Sequence, residues 1–170
     1  TFARAQLETL TSMDTSLPDG LRAGHRCTPI DAVGCYAPGG KFTLVSSVLM
    51  TVVPARVAGV RRVVVATPRP TKEMLAAAAI AGADVVLRVG GAQSIGALAY
   101  GFEGFAPVDF ICGPGNRYVT AAKKLVFGDV GVDMLAGPSE IVVAAAPDSD
   151  GREQQQSVQD ANSPSPNRNG

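Results

Sequence analysis

At 170 residues the chain has the length of a single domain with room for a real core, and its 15 basic and 15 acidic residues cancel. No basic stripe is present, which argues against nucleic acid as a partner. No apolar run reaches membrane-spanning length and no signal peptide leads the chain, so the reading is a cytoplasmic protein away from the membrane. Trp is absent and aromatic residues make up 5%, while Ala, Val and Gly dominate, a composition suited to helices packed closely on a parallel sheet. Cys27, Cys35 and Cys112 are too few and too unpatterned for a disulfide or zinc framework, and they fit a reducing compartment.

Residues 1–30 read as a lead-in. Phe2, Leu7 and Leu10 mark one helical face, Pro18-Asp19-Gly20 is a turn, and His25, the single histidine, reads as a solvated loop residue between Gly24 and Arg26. From Asp31 strands and helices alternate. Ala32 to Tyr36 is the first strand, closed by Ala37-Pro38-Gly39-Gly40. Leu44 to Val57 is helical with Pro54 inside it, which implies a kink or two abutting helices. Arg62 to Thr67 is a Val-rich strand ending at Pro68-Arg69-Pro70, and Thr71 N-caps a helix with Leu75, Ala78 and Ala79 on its apolar face. Asp84 to Val89 is the third strand, followed by Gly90-Gly91 and a helix over Ala92 to Tyr100 with Ile95, Leu98 and Ala99 inward.

The fourth unit is the most informative. Val108 to Cys112 is a short strand, and Gly113-Pro114-Gly115-Asn116 is a tight turn. A helix follows, with Tyr118, Val119, Ala122, Leu125 and Val126 as its apolar stripe. Such a unit aims the unpaired N–H groups of the helix start at the turn, which suits an anion or a polar ligand edge. Val132 to Leu135 and Ile141 to Ala146 are two further strands joined by Ala136-Gly137-Pro138-Ser139-Glu140.

This alternation predicts βαβ units and a three-layer, Rossmann-like α/β domain over residues 31–146 with a mostly parallel sheet. Right-handed crossovers place the loops 36–40, 67–70, 90–93 and 113–116 on one edge, the carboxyl edge where ligands of open α/β sheets bind. Two phosphate motifs fail. A P-loop needs G-x-x-x-x-G-K-S/T, but Cys35 holds the first glycine position and Phe42 follows Lys41. The G-x-G-x-x-G fingerprint is half met by Gly113 and Gly115, with Tyr118 at the third glycine and no acidic residue ending the second strand.

The stretches VGCYAPGGKFTLVSSVLMTVVPARVAGV, RVGGAQSIGALAYG and ICGPGNRYVTAAKKLVFGDVGVDMLAGPSE resemble histidinol dehydrogenase and its relatives, in order, from about Asp31 to Ala146. The resemblance implies an NAD-dependent oxidation of an amino alcohol through an aldehyde to a carboxylate, with the substrate held on zinc. By motif, Tyr36, Gln93 and Asn116 match the family's NAD-contacting positions, and Ser139 a substrate-contacting one. Two alternatives stay open: Tyr36 could simply close its strand, and Ser139 could be a turn or capping residue.

The family's zinc ligands and its Glu-His acid–base pair lie beyond AGPSE, and no matching residues follow in this sequence, so no catalytic or metal-binding residue is assigned. His25 is the only imidazole, too little to rebuild a zinc site. Residues 147–170, with Gln154-Gln155-Gln156 and Asn162-Ser163-Pro164-Ser165-Pro166-Asn167, read as a disordered polar tail.

Two function classes therefore compete. One is a histidinol dehydrogenase-like oxidoreductase domain in truncated form, with weak or vestigial NAD binding and no activity of its own on histidinol. The other is a binding or oligomeric module, or a catalyst of different chemistry, that keeps the fold. Either way a small-molecule ligand is expected, and the apolar strand Ile141 to Ala146, with no helix after it, favours pairing of two copies.

Overall fold

Two strands, β3 (Ala32–Tyr36) and the Val-rich β4 (Arg62–Ala66), lie side by side and parallel in the middle of the sheet. The computed structural model describes residues 2–39 and 44–135. Successive strand side chains point to opposite faces, and here each face has its own helical cover. Ala32, Tyr36, Val64 and Ala66 pack with Ile95, Leu98 and Ala99 of α4 (Gly91–Tyr100) and with Val119, Ala122 and Val126 of α5 (Arg117–Val126). Val33, Cys35, Val63 and Val65 face the other way, onto Val48 and Val52 of α2 (Val45–Val57) and Met74, Ala77 and Ala78 of α3 (Lys72–Ala81). Each fully buried Val contributes about 1.5–3 kcal/mol relative to exposure. The result is the expected three-layer α/β domain.

With β5 (Val85–Leu87), β6 (Phe110–Cys112) and β7 (Gly131–Val132), the sheet runs β5-β4-β3-β6-β7, and every neighbouring pair is parallel. The chain winds outward from β3 to β5, returns to the other side of β3 as β6, and winds on to β7. The direction of winding reverses between β3 and β6, so that gap is the topological switch point.

β5, β6 and β7 are shorter than expected, and aspartates explain two of the boundaries. Asp84 precedes β5, and its carboxylate accepts the Val63 N–H at 2.7 Å. Asp109 precedes β6 and accepts the Ala32 N–H at 2.8 Å. Each carboxylate closes the ladder with its side chain. Asp109 therefore marks the start of a strand at the amino edge and is exposed, whereas the sequence placed it inside a strand.

Several apolar faces are rotated from their expected phase. On α3 the buried residues are Met74, Ala77 and Ala78, with Leu75 exposed. On α5 they are Val119, Ala122, Lys123 and Val126, while Tyr118 and Leu125 are exposed. α3 carries apolar residues around much of its circumference, so the sheet chose its phase, whereas on α5 the burial of Lys123 moves the inward face to one side of the apolar stripe. Thr71 caps α3 as expected, accepting the Met74 N–H at 3.4 Å. α2 is one helix through Pro54, so of the two outcomes expected there the pair of abutting helices does not form. The proline falls in the last turns, and the carbonyl it leaves unpaired belongs to exposed Met50.

The lead-in holds α1 (Phe2–Thr9), which buries no residue, and an antiparallel hairpin of β1 (Met13–Ser16) and β2 (Arg22–His25). The turn at Pro18-Asp19-Gly20 joins them, and an Asp14–Arg22 ion pair crosses them. The hairpin was not expected, because neither segment alternates apolar and polar residues. His25 is exposed as expected, but lies in β2 with Nε2 2.9 Å from the Thr11 carbonyl. The expected strand 141–146 and the expected tail 147–170 lie outside the described residues. No helix among the described residues is long and apolar enough to cross a membrane.

Arg56 ties the amino edge together. It donates to the carbonyls of Gly82 at 2.6 Å and of Val60 and Arg61 at 2.9 Å, and pairs with Asp84 at 2.6 Å. Burial pushes the Asp84 carboxyl up, but the Val63 N–H and the Arg56 guanidinium outweigh it and hold the group below the usual carboxylate range. A carboxyl depressed in the folded state stabilises the fold above its unfolded pKa, and that contribution is lost as pH falls through the folded one. Arg56→Met is expected to cost about 1.5–3 kcal/mol in urea unfolding near neutral pH, toward the low end because Asp84 is solvent-accessible. The loss should shrink on acidification below about pH 4. An unchanged midpoint at neutral pH would remove Arg56 from this role.

Candidate ligand site at the carboxyl edge

The loops after β3, β4, β5 and β6 meet, as expected, and Tyr36 joins three of them. Tyr36 ends β3 with 3% of its surface exposed, and its hydroxyl accepts the Gly91 N–H at 3.4 Å, a long bond to the start of α4. Its carbonyl meets Gly113, whose φ is +116° and where a Cβ would stand 2.1 Å from the Tyr36 oxygen. Only glycine fits at 113, by space and by backbone angle alike. Pro68, after β4, fills the space beside Gly39 and Gly90; a Cβ on either would approach its ring within 2.6 Å and 2.5 Å.

Gln93 is exposed in the first turn of α4, and Asn116 is exposed as the N-cap of α5. Asn116 Oδ1 accepts the N–H groups of Tyr118 at 3.0 Å and Val119 at 3.1 Å. Its oxygen is thus committed to the helix, and its NH2 is the half left for a ligand. Gln93 and Asn116 stand on the loops that Tyr36 bridges. Tyr36 itself is packed into the core, so its hydroxyl rather than its ring face borders the edge. Ser139 lies outside the described residues.

The turn does not leave its N–H groups open in the way the sequence suggested. Besides the two taken by Asn116, the Gly113 N–H donates to Asp133 Oδ2 at 2.8 Å. Asp133 Oδ1 accepts from the Met134 N–H at 2.8 Å and from Lys123 Nζ at 2.5 Å. Lys123, 3% exposed, also donates to the Gly113 carbonyl at 2.6 Å. Lys123 was not singled out from the sequence as part of the site. The spacing 119, 122, 123, 126 does form a helical stripe, but a lysine within it drew the reading toward Tyr118 and Leu125.

Beneath the edge, Cys35 and Cys112 pair across β3 and β6 with their sulfurs 3.8 Å apart, the Cys112 thiol donating to Cys35. This bond and burial push Cys112 far up, keeping it protonated; both cysteines are free thiols. Thr67, just after β4, holds a buried hydroxyl oxygen without a hydrogen-bond partner among the described residues, which an ordered water or polar ligand would satisfy. Among the described residues no group of three His, Cys, Asp or Glu side chains could hold a metal ion.

A doubly wound parallel sheet, with glycine turns and two exposed amides at its carboxyl edge, defines a Rossmann-like α/β domain. The histidinol dehydrogenase family model matches residues 1–154, and the chain belongs to the histidinol dehydrogenase family. The match takes in the lead-in and runs past Ala146, wider than the motifs alone suggested. The chain is 54% identical to the histidinol dehydrogenase of Methylococcus capsulatus, covering 88% of this chain and 34% of that one. It is 51% identical to that of Gluconobacter oxydans, covering 89% and 36%. A crystal structure of histidinol dehydrogenase from Elizabethkingia anophelis superposes with a TM-score of 0.72 at 35% identity, covering 81% of this chain and 33% of that one. The chain thus spans about a third of the length of these relatives.

The committed oxygen of Asn116 generates a test. Asn116→Ala should cost about 0.5–2 kcal/mol of stability by loss of the cap, whereas Asn116→Asp should keep the unfolding midpoint close to the parent. A thermal melt in which Ala and Asp behave alike would contradict the cap.

Proposed function

We propose that residues 31–146 form the dinucleotide-binding part of an oxidoreductase of histidinol dehydrogenase type, which takes NAD at the carboxyl edge and serves the oxidation of an alcohol. The observation that carries this reading is the position of Tyr36 at the end of β3 and of Asn116 in the turn after β6, the two strands that flank the switch point, where such sheets take ligands. The NH2 of Asn116 and the exposed amide of Gln93 would hold the cofactor's polar groups, with the Tyr36 hydroxyl at the border. When bound, NAD would supply the hydride acceptor. Ser139 is the proposed substrate contact, and the polypeptide is proposed to be cytoplasmic.

Proton transfer is the step these residues do not supply. An alcohol loses its proton as hydride leaves, so a base must stand within hydrogen-bond reach. Asp109 sits at the opposite edge, engaged with Ala32. Asp133 is at the right edge but is engaged with Lys123 and Gly113. This engagement favours the second reading for the chain by itself, a module that binds without turning over. Pairing of two copies through residues 141–146 is part of the same proposal, and sedimentation as a monomer at high concentration would remove it.

Calorimetric titration is expected to show weak, saturable NAD binding that Gln93→Ala with Asn116→Ala abolishes. Saturation surviving both substitutions would place the site elsewhere. With histidinol, NAD and zinc supplied together, NADH formation should stay at background. General acid–base help is worth about a hundred- to ten-thousand-fold, so turnover that follows the concentration of purified chain would reveal a base among these residues.

A further inference from the structure

Lys123 and Asp133 hold one residue from both sides. The Gly113 carbonyl accepts from Lys123 Nζ at 2.6 Å, the Gly113 N–H donates to Asp133 Oδ2 at 2.8 Å, and the two charges meet at 2.5 Å. Glycine is the residue with the most backbone freedom, and this one sits at φ +116° against the Tyr36 carbonyl. Fixing both of its polar groups fixes the direction in which the chain leaves β6 toward Asn116. The arrangement closes on itself, because Lys123 belongs to the helix that Asn116 caps, while Asp133 follows the next strand, β7.

An ion pair with a side chain as buried as Lys123, 3% exposed, is a weak means of gaining stability. Apolar residues of similar volume often serve as well, whereas removing one partner strands the other charge. What apolar residues cannot do is bond the N–H and the carbonyl of Gly113 at once. We infer that Lys123 and Asp133 are positioning residues of the ligand edge, acting through Gly113 to set where the Asn116 amide stands, without touching the ligand. The ligand part of this inference rests on the proposed dinucleotide site.

The test separates positioning from stability. Lys123→Met and Asp133→Asn each strand a partner, and both are expected to lower the melting temperature. The double variant Lys123→Met with Asp133→Leu removes both charges and should recover much of it. Val126→Ala, a core change on the same helix, serves as the destabilised control. In all three clamp variants NAD affinity should fall by about tenfold or more, and the Gly113 amide should exchange faster by a similar factor. Val126→Ala should leave both near the parent. A double variant that binds NAD as the parent does and protects Gly113 as well would overturn the inference, as would a control that loses both in step with its melting temperature. Should the parent itself take up no NAD, the dinucleotide reading fails. The clamp is then decided by Gly113 exchange in the free protein: acceleration in the double variant supports it, and parental protection refutes it.

Discussion

The approach of Gly113 to the Tyr36 carbonyl is the contact on which the carboxyl edge depends. A side chain at 113 would stand 2.1 Å from that oxygen, so β3 and β6 can run side by side to their ends only with glycine there. Because the sheet's winding reverses between these two strands, the loops leaving them diverge toward opposite helical layers and open a crevice. Their close contact at its base fixes the start of each loop. Tyr36 carries the constraint across the edge, its hydroxyl reaching Gly91 at the start of α4. The turn before Asn116 and the start of the helix bearing Gln93 are thereby referred to one residue.

Three aspartates perform one local task at the two edges of the sheet. Asp84 accepts from Val63, Asp109 from Ala32 and Asp133 from Gly113, each across to a neighbouring strand or the turn that leaves it. A parallel ladder leaves backbone groups without a strand partner at its ends, and buried N–H groups left unpaired are costly. A short carboxylate just outside a strand reaches such a group without extending the strand. At the amino edge this closes the sheet. At the carboxyl edge it also occupies with a protein anion a donor that a ligand could otherwise have used.

The centre of the fold was more legible in the sequence than its helical faces. β3 reads correctly because Ala32 to Tyr36 is bounded by Asp31 on one side and by Ala37-Pro38-Gly39 on the other. The parallel order follows from the spacing of strands and helices. The face of α3 was not legible because KEMLAAAAIA offers alanine in every direction, so packing, not periodicity, chose Met74 over Leu75. On α5 the buried lysine broke the pattern. Its partners lie ten residues away on either side, at Gly113 and Asp133, and only the fold brings them together. The glycine turns announced where the loops meet, but not that Asp133 and Asn116 would fill several N–H groups there.

That filling changes what the edge can recognise. A helix start with open N–H groups attracts an anion, whereas here Tyr118 and Val119 are satisfied by Asn116 and Gly113 by Asp133. At this helix start the NH2 of Asn116 is the side-chain donor that remains, which suits a neutral acceptor on a ligand, whereas the start of α4 carries no side-chain cap and has the polarity that suits an anion. Asn116 commits its oxygen to the helix and keeps its nitrogen available for a ligand. A ligand that accepts from its NH2 would polarise the amide and strengthen the two bonds its oxygen makes to α5. Binding through this NH2 would therefore couple to order at the start of α5 through a single side chain.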